Sequence, residues 1–486
     1  MLPPIPVLED YGINPEHGFL PPDLPLESLP DPYYAKWESI IDNIQPLILS
    51  RRVRPTIARL PILSTSFLHT DAEWRRAYVV LTFMLHAYVW GGDIPEELIP
   101  PPISVPLLKV CDYLELPPVA TYAAVCLWNY KPIFADEPTD DLHNLSTINT
   151  FTGSLDEQWF YLVSVAIEAR GAPTLPLMLK AMEAARAGDN EVVTVCLQEM
   201  AQRIDGVSTL LQRMYEHCDP HVFYHRVRPF LAGSKNMGDA GLPNGVMFDT
   251  GNGSTEYRQY GGGSNAQSSL LQFFDIVLGI EHRPTGVGRE GGTSAKDSEG
   301  IAPTPRHGFI QEMRGYMPGL HRRFLENVGS VANIKDFVQA RQSDKALCLA
   351  YDACLAMLRA LRDKHIQVVS RYIIIPSREQ RRSSQSMTLQ AARSSVVNLA
   401  NPKSGDNRKA RGTGGTALIP FLKQARDETG EPAIGAWARR LLSNGPGDRS
   451  YASLGKVDEH ADGQIEIVGM AGTWAMDDSE GGICHW

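Results

Sequence analysis

The sequence predicts an all-α protein, and three observations carry that expectation. Several long segments repeat their apolar residues at helical spacing, most clearly residues 345–374. The stretch DEQWFYLVSVAIEAR (156–170) is apolar around much of its circumference, as a helix buried deep in a core must be. Runs that alternate apolar and polar residues, the mark of strands, are scarce throughout.

In chain order, residues 1–32 form an irregular lead-in, because Pro3, Pro4, Pro6, Pro15, Pro21, Pro22 and Pro25 forbid a long helix. From about 34 to 130 the pattern is helical. Asp71 is placed to cap a helix that stops at Gly91-Gly92, the PPPISVPLL segment (100–108) breaks the chain, and Pro117-Pro118 open a further helix. Three helices follow over 155–217. Nine glycines (233, 238, 241, 245, 251, 253, 261, 262, 263) then interrupt all periodicity before SSLLQFFDIVLGIEH resumes a helix. A second glycine-rich loop covers 283–308, and helical patterns return to about 375. Residues 376–416 are polar and rich in Ser, Arg and Asn, a length that suits a linker or a functional lid. Residues 418–440 read as helix, and the chain beyond 434 as a mobile extension.

The 486 residues are 43% hydrophobic and 21% charged, enough to bury a large core. A net charge of −10 argues against general attraction to nucleic acid or an anionic membrane. The basic run from Arg378 to Arg411 has no interleaved aromatics to stack bases, which argues against an RNA-binding tail. Seven cysteines without a C-x-x-C exclude a zinc ribbon and fit reduced thiols. The N-terminus lacks the basic and apolar regions of a signal peptide, and no run of 18 apolar residues is seen, so a cytoplasmic protein without a membrane span is expected. Gly286-Val-Gly288-Arg-Glu-Gly291 fits G-x-G-x-x-G but neither follows a strand nor opens a helix, so it fails as a dinucleotide site. His307 and His321 read as ordinary polar loop histidines.

The most informative helix is KALCLAYDACLAMLRALRDKHIQVVSRYII (345–374). Its apolar stripe runs through Leu347, Tyr351, Cys354, Leu358, Leu361, His365, Val368 and Tyr372, alternating steps of four and three. One position in that seam is a histidine. It is either a core imidazole satisfied by a buried partner or a neutral imidazole offered to a metal, such as a haem iron, which also wants an apolar wall. Periodicity leaves both open.

Eight segments in order resemble the indoleamine 2,3-dioxygenase family: HGFLPPDLPLESLP, LELPP, FYLVS, RPFLAGSKN, GGGSNAQSSLLQFFDIVLGI, EMRGYMPGLHRRFL, YDACLAMLRALR-x-x-HIQVVSRYIIIP and KARGTGGTALIPFLK, over roughly 17–428. The resemblance, closest to fungal members, implies a two-domain helical haem dioxygenase fold with long loops. A small N-terminal helical domain (1–140) would cover a large haem-binding domain (141–433), with residues 434–486 outside it. It implies haem b as cofactor, L-tryptophan and O2 as substrates, N-formylkynurenine as product in the kynurenine pathway, and an external electron donor to keep iron ferrous. A monomer is expected, with no nucleic-acid or membrane partner.

Carried over by motif, His365 is the proximal iron ligand, with Arg362 and Asp275 bracing that side. Phe223, Tyr224, Arg228, Tyr122, Phe160, Ser164, Ser264, Asn265 and Thr413 are substrate-binding positions, and Gly262 and Gly263 belong to the loop over haem and substrate. Thr413 to Thr416 end the lid. Arg228 meets a physical need, since a planar guanidinium can hold an amino acid's carboxylate through two hydrogen bonds. Phe160 and Ser164 are four apart and share a helix face. No side chain is expected to act as general base. The sequence departs from the family pattern at Tyr224, where Phe is common, and at Asn265, where a small residue is common. The alternative reading is a haem protein of the same fold with little turnover, acting as a ligand or gas sensor.

Overall fold

The structure, a computed structural model, describes residues 3–251, 253, 256–284, 308–378, 418–443, 456–459, 465–469 and 472–475. It is mostly helical, as expected.

The lead-in packs as irregular chain with Leu8, Ile13, Phe19 and Leu20 buried. Helix α1 (Ala35–Asp42) follows, then two short helices, then α2 (Asp71–Trp90). The cap of α2 is Thr70, not Asp71. Thr70 and Glu73 form a reciprocal capping box, and Asp71 is the first helical residue. A buried ion pair fixes this region: Arg76 of α2 donates to both oxygens of Glu38 of α1 (3.1 and 2.5 Å) and to Asn149 (2.6 Å). Glu38 also accepts from the backbone N–H of Leu29 (2.8 Å), so one carboxylate ties the lead-in to two helices.

The PPPISVPLL segment does not break the chain; it is helix α3 (Pro101–Leu114). Pro101 and Pro102 occupy the first turn, where a missing N–H costs nothing. Pro106 removes one interior bond, and burial of Ile103, Leu107, Val110 and Cys111 offsets that loss. The helix expected after Pro117-Pro118 shrinks to a π-helical turn, Ala123–Leu127.

The large core is built on α4 (Leu155–Gly171), α5 (Thr174–Ala187), α6 (Asn190–Gln212), α7 (Ser269–Val277), α8 (Gly319–Val331) and α9 (Lys345–Val369). Side chains cap four of these: Ser154, Asp189, Ser268 and Asp344 each accept a backbone N–H of the first turn. The 155–187 stretch is apolar and long enough to cross a membrane by length and composition alone. Two-thirds of that window is buried inside the protein. The seam of α9 lies as the spacing predicts, with Leu347, Tyr351, Cys354, Leu358, Leu361 and Val368 buried against the core. The α-helix ends at Val369, and the seam continues to Tyr372 through a π-helical turn, Ser370–Ile374.

The glycine-rich segment is mostly loop, with β4 (Val246–Phe248) pairing in parallel with β1 (Leu98–Ile99) and antiparallel with β5 (Tyr257–Arg258). A second hairpin joins β2 (Tyr130–Pro132) to β3 (Leu145–Thr147). After the lid segment come α10 (Leu418–Thr429) and α11 (Ala436–Ser443). The extension beyond 434 is partly ordered: Asp352 of α9 accepts the backbone N–H groups of Ile434 and Gly435, both at 2.8 Å, and docks α11. Further on, β6, β7 and β8 (Lys456–Glu459, Ile465–Gly469, Gly472–Ala475) form an antiparallel sheet.

Two histidines are enclosed, one fully and one in part, where helical spacing alone does not single them out. His321, in α8, is half-buried against Phe19 with ring centroids 4.9 Å apart and planes tilted by 53°; it is not a loop residue, and desolvation lowers its pKa to about 3. His86 of α2 donates from Nδ1 to the carbonyl of Phe230 (2.6 Å) and accepts at Nε2 from the amide of Ala120 (2.8 Å). Only a neutral imidazole offers one donor and one acceptor, and burial keeps it so by lowering its pKa to about 4. His86→Leu would leave a buried carbonyl and a buried amide unpaired, at about 1–3 kcal/mol each. We expect a lower urea midpoint with an unchanged slope, and convergence of variant and wild type as pH falls from about 6.5 to about 4 and the histidine charges. A variant as stable as wild type at neutral pH would contradict this role.

Candidate functional site

Two cavities of about 120 and 140 Å³ meet around His365. Tyr122, Leu211, Asn265, Ala266, Phe421 and Leu422 line both, so they form one space in two lobes. The first lobe lies between α4, α6, α7, α9 and α10, and is walled by residues such as Ile167, Val207, Leu358 and Leu361. The second reaches Phe160, Phe223, Arg228 and Tyr372. Among the described residues three π-helical turns, Ala123–Leu127, Phe223–Val227 and Ser370–Ile374, border the space, at Cys126, Phe223 and Tyr372–Ile373. A π turn rotates the side chains that follow it out of the α-helical register, which is why such turns recur at functional sites.

His365 sits at the junction. It is enclosed by protein, and its accessible face opens into the cavities. Its ring makes no hydrogen bond among the described residues. Burial first, then the nearby Arg362 guanidinium, lowers its pKa to about 4, so the imidazole is neutral. A neutral, unbonded imidazole in an apolar-walled space is what a haem iron requires of a proximal ligand. The reading of His365 as a core histidine with a buried partner has no such partner to support it.

Beside it, Arg362 donates two hydrogen bonds from Nη2 to Asp275 (2.6 and 2.8 Å), and both line the first lobe. Burial raises the Asp275 carboxyl, but Arg362 and His282 outweigh it and hold the group below its ordinary value. In the second lobe Phe160 and Phe223 face each other at 4.6 Å and 44°. Arg228 is buried, unlike its exposed neighbour Arg226. Among the described residues it is the one arginine, lysine or carboxylate on the wall of that lobe. Gly263, Ser264 and Asn265 line this side, and the carboxamide of Asn265 borders both lobes.

Two of the expected positions fall elsewhere. Tyr224 is not on either wall. It lies behind Arg228, with the guanidinium carbon 5.7 Å from its ring centre, because the π turn directs Phe223 and Tyr224 to different faces. Gly262 does not line the cavities; a Cβ there would stand 2.1 Å from the carbonyl oxygen of Leu231. Its role is to let the 260–262 strand of chain cross residues 231–233 just behind the site. Thr413 and its neighbours lie outside the described residues, as does Gly286–Gly291.

The sequence reading missed Glu168. It is one turn beyond Ser164 on α4 and fully buried, accepting from Tyr122 Oη (3.0 Å) and Ser268 Oγ (2.6 Å). Its other oxygen has no partner among the described residues. Burial raises its pKa to about 7. The Phe160, Ser164, Glu168 spacing of four was the available signal.

A family model described as indoleamine 2,3-dioxygenase matches residues 7–432. An indoleamine 2,3-dioxygenase of Saccharomyces cerevisiae is 41% identical over 88% of this chain and 93% of its own length. One from Penicillium citrinum is 39% identical over 87% of this chain and 88% of its own. A 6-hydroxytryptophan 2,3-dioxygenase of Fusarium equiseti is 38% identical over 87% of this chain and 96% of its own.

Glu168 gives a pH test. Its raised pKa means the folded state prefers the protonated acid, so its contribution falls as pH rises from 4.5 through about 7. Glu168→Gln mimics the protonated form. The stability of the variant relative to wild type should therefore grow between about pH 5 and about pH 8, by roughly 1.4 kcal/mol for every tenfold by which burial strengthens proton binding. Denaturant unfolding at both pH values reads it; a constant difference would place the carboxylate in a solvated setting.

Proposed function

The chain belongs to the indoleamine 2,3-dioxygenase family, and from that premise we propose that it opens the indole ring of L-tryptophan at a haem held by His365. It is an oxidoreductase of the dioxygenase class. The observation that carries the haem assignment is His365 itself, a neutral imidazole without a partner among the described residues, set where two apolar lobes meet. The residues present fit the group. His365 would hold the iron, α6, α7, α9 and α10 would supply apolar walls, and Arg362 with Asp275 would brace the helix from which His365 projects.

What a bound haem supplies is activation of dioxygen for insertion of both atoms across the indole 2,3-bond, giving N-formylkynurenine. The chain's own residues bind, orient and exclude water. The carboxylate of the amino acid goes to Arg228, because the second lobe offers no other guanidinium or ammonium among the described residues. The indole ring packs against Phe223 and Phe160, whose tilted faces form one aromatic wall. Tyr122, on the wall of both lobes, flanks the ring, Ser164 faces it from the first lobe, and Asn265 offers a carboxamide where the lobes meet. The carboxylate on the cavity wall, Asp275, is already occupied by Arg362, which suits a reaction that needs no protein base. An external donor would keep the iron ferrous, and the chain would act as a monomer. No observation favours the reading as a sensor with little turnover.

The protein expressed with added haem should show a Soret band that shifts with tryptophan, and should release N-formylkynurenine under ascorbate and methylene blue. A Soret band without product would overturn the enzymatic reading for this substrate, and absence of the band would overturn the haem site. His365→Ala should lose haem or hold it weakly. Arg228→Ala should raise KM for tryptophan about ten- to hundredfold, from the roughly 1.5–3 kcal/mol of a charged hydrogen bond, and should spare indole analogues that lack a carboxylate. Equal losses for both would remove Arg228 from carboxylate binding.

A further inference from the structure

Asp275 and Arg362 are part of a larger buried network. Oδ2 of Asp275 also meets Nε2 of His282 at 3.0 Å, and Nδ1 of His282 meets Oε2 of Glu428 at 2.7 Å. The three side chains are at most 8% exposed. Ionised carboxylate oxygens only accept, so an imidazole between two of them needs a proton on both nitrogens. His282 is therefore an imidazolium, and with Arg362 it balances the two carboxylates charge for charge. If His282 were neutral, one ring nitrogen would face a carboxylate lone pair to lone pair, in a site where none of the three side chains is more than 8% exposed.

The remaining bonds show what this network holds. Glu428 is on α10, and its other oxygen accepts from the amide of Arg283 (3.1 Å) and from Gln424 Nε2 (2.8 Å). Arg362 also bonds Thr429, the last residue of α10. The network thus fastens α10 to α7, to the 282–283 segment and to α9. From α10, Phe421 and Leu422 line both lobes and Ala425 lines the first. Of the other charges near His282, Arg283 pairs with Glu431 and also stands 3.6 Å from Glu428, so three cations face three carboxylates, and Glu281 is exposed beside Lys335 at 3.6 Å.

We propose that His282 is a positioning residue that, as an imidazolium, clamps α10 over the cavities at His365 and releases it when deprotonated. The clamp is read from geometry alone; its consequence for cofactor retention rests on the haem reading above.

The direction of titration agrees. Burial lowers the pKa of His282, but Asp275 and Glu428 outweigh it and raise it above 6.5. Asp275 and Glu428 are held below their ordinary 3.8 and 4.5, burial being overcome by their cationic and hydrogen-bonding partners. The histidine's contribution is complete below 6.5 and is lost as pH rises through its raised value. The carboxylates' contributions are complete above their ordinary values and are lost as pH falls through the lowered ones. The clamp is closed between these limits and opens on the alkaline side.

The test is hydrogen–deuterium exchange on the full chain as purified, following the 418–429 amides from about pH 6 to about pH 9. Rates are corrected for intrinsic exchange and set against α6 as internal reference. Wild-type protection of α10 should fall about tenfold or more relative to α6 across that range, as a tenfold difference in proton affinity between the closed and open clamp would produce. His282→Gln should start lower and show a flat profile. Glu428→Gln should flatten it as well, and stands in if the histidine variant does not fold. A variant with wild-type protection and slope, or a wild type without slope, would overturn the clamp. In a second arm, haem transfer to apomyoglobin should speed up with pH in wild type and be about tenfold faster in His282→Gln at pH 6. A chain that binds no haem would sink the cofactor reading while leaving the exchange result to decide the clamp.

Discussion

The site depends on the packing of α9 against α6. Seven turns of one helix face are pressed into the core by Leu347, Tyr351, Cys354, Leu358, Leu361 and Val368, and the Cys354 thiol lies 3.0 Å from the carbonyl of Leu197. A seam that long fixes both the rotation and the axial position of the helix. At one step of the same stripe the partner helix does not fill the space, and that step is His365. The imidazole therefore points into an apolar space by the same geometry that buries its neighbours. No polar contact is needed to aim it, which is why its nitrogens are left available.

Around that axis the polar groups are arranged to serve the chain on either side. His86 and the glycines at 233 and 262 hold together the segments that carry Arg228 and Ser264. A Cβ at Gly233 would fall 2.2 Å from the carbonyl of Tyr260, and the approach at Gly262 is as close. Trp90 adds a hydrogen bond to the carbonyl of Ala232 (3.0 Å). The substrate side is thus a loop in sequence but a braced structure in space. Loops of this kind carry function because a rigid scaffold positions them.

Much of this was legible in the sequence, for reasons that differ by residue. The seam of α9 and the shared face of Phe160 and Ser164 follow from helical periodicity, which is a local property. Helix α3 was misread because proline was weighed as a breaker, whereas two of its prolines stand in the first turn. The distant partners of His86, His282 and Glu168 were not legible, being 34, 146 and 100 residues away, and spacing marked only the helix face on which Glu168 lies. Tyr224 was misplaced because its position was carried over by motif, and adjacency to Phe223 in sequence does not put both side chains on one wall. The eight matching segments located the residues of the pocket; they did not distinguish those on its wall from those behind it.

The distribution of charge gives these details one consequence. On the wall of the second lobe Arg228 is the lone arginine, lysine or carboxylate among the described residues, while Glu168, buried behind Tyr122 and Ser268, has its pKa raised to about 7. On the wall of the first lobe Asp275 and Arg362 neutralise each other, and His282 with Glu428 extends that balance outward. A ligand with one carboxylate therefore meets a guanidinium on either wall, and the one in the first lobe is already engaged by Asp275. In a space of low dielectric a carboxylate brought to the first lobe would face Asp275 across a pair already satisfied. That charge pattern supports the proposed orientation, with the carboxylate at Arg228 and the ring at the aromatic pair.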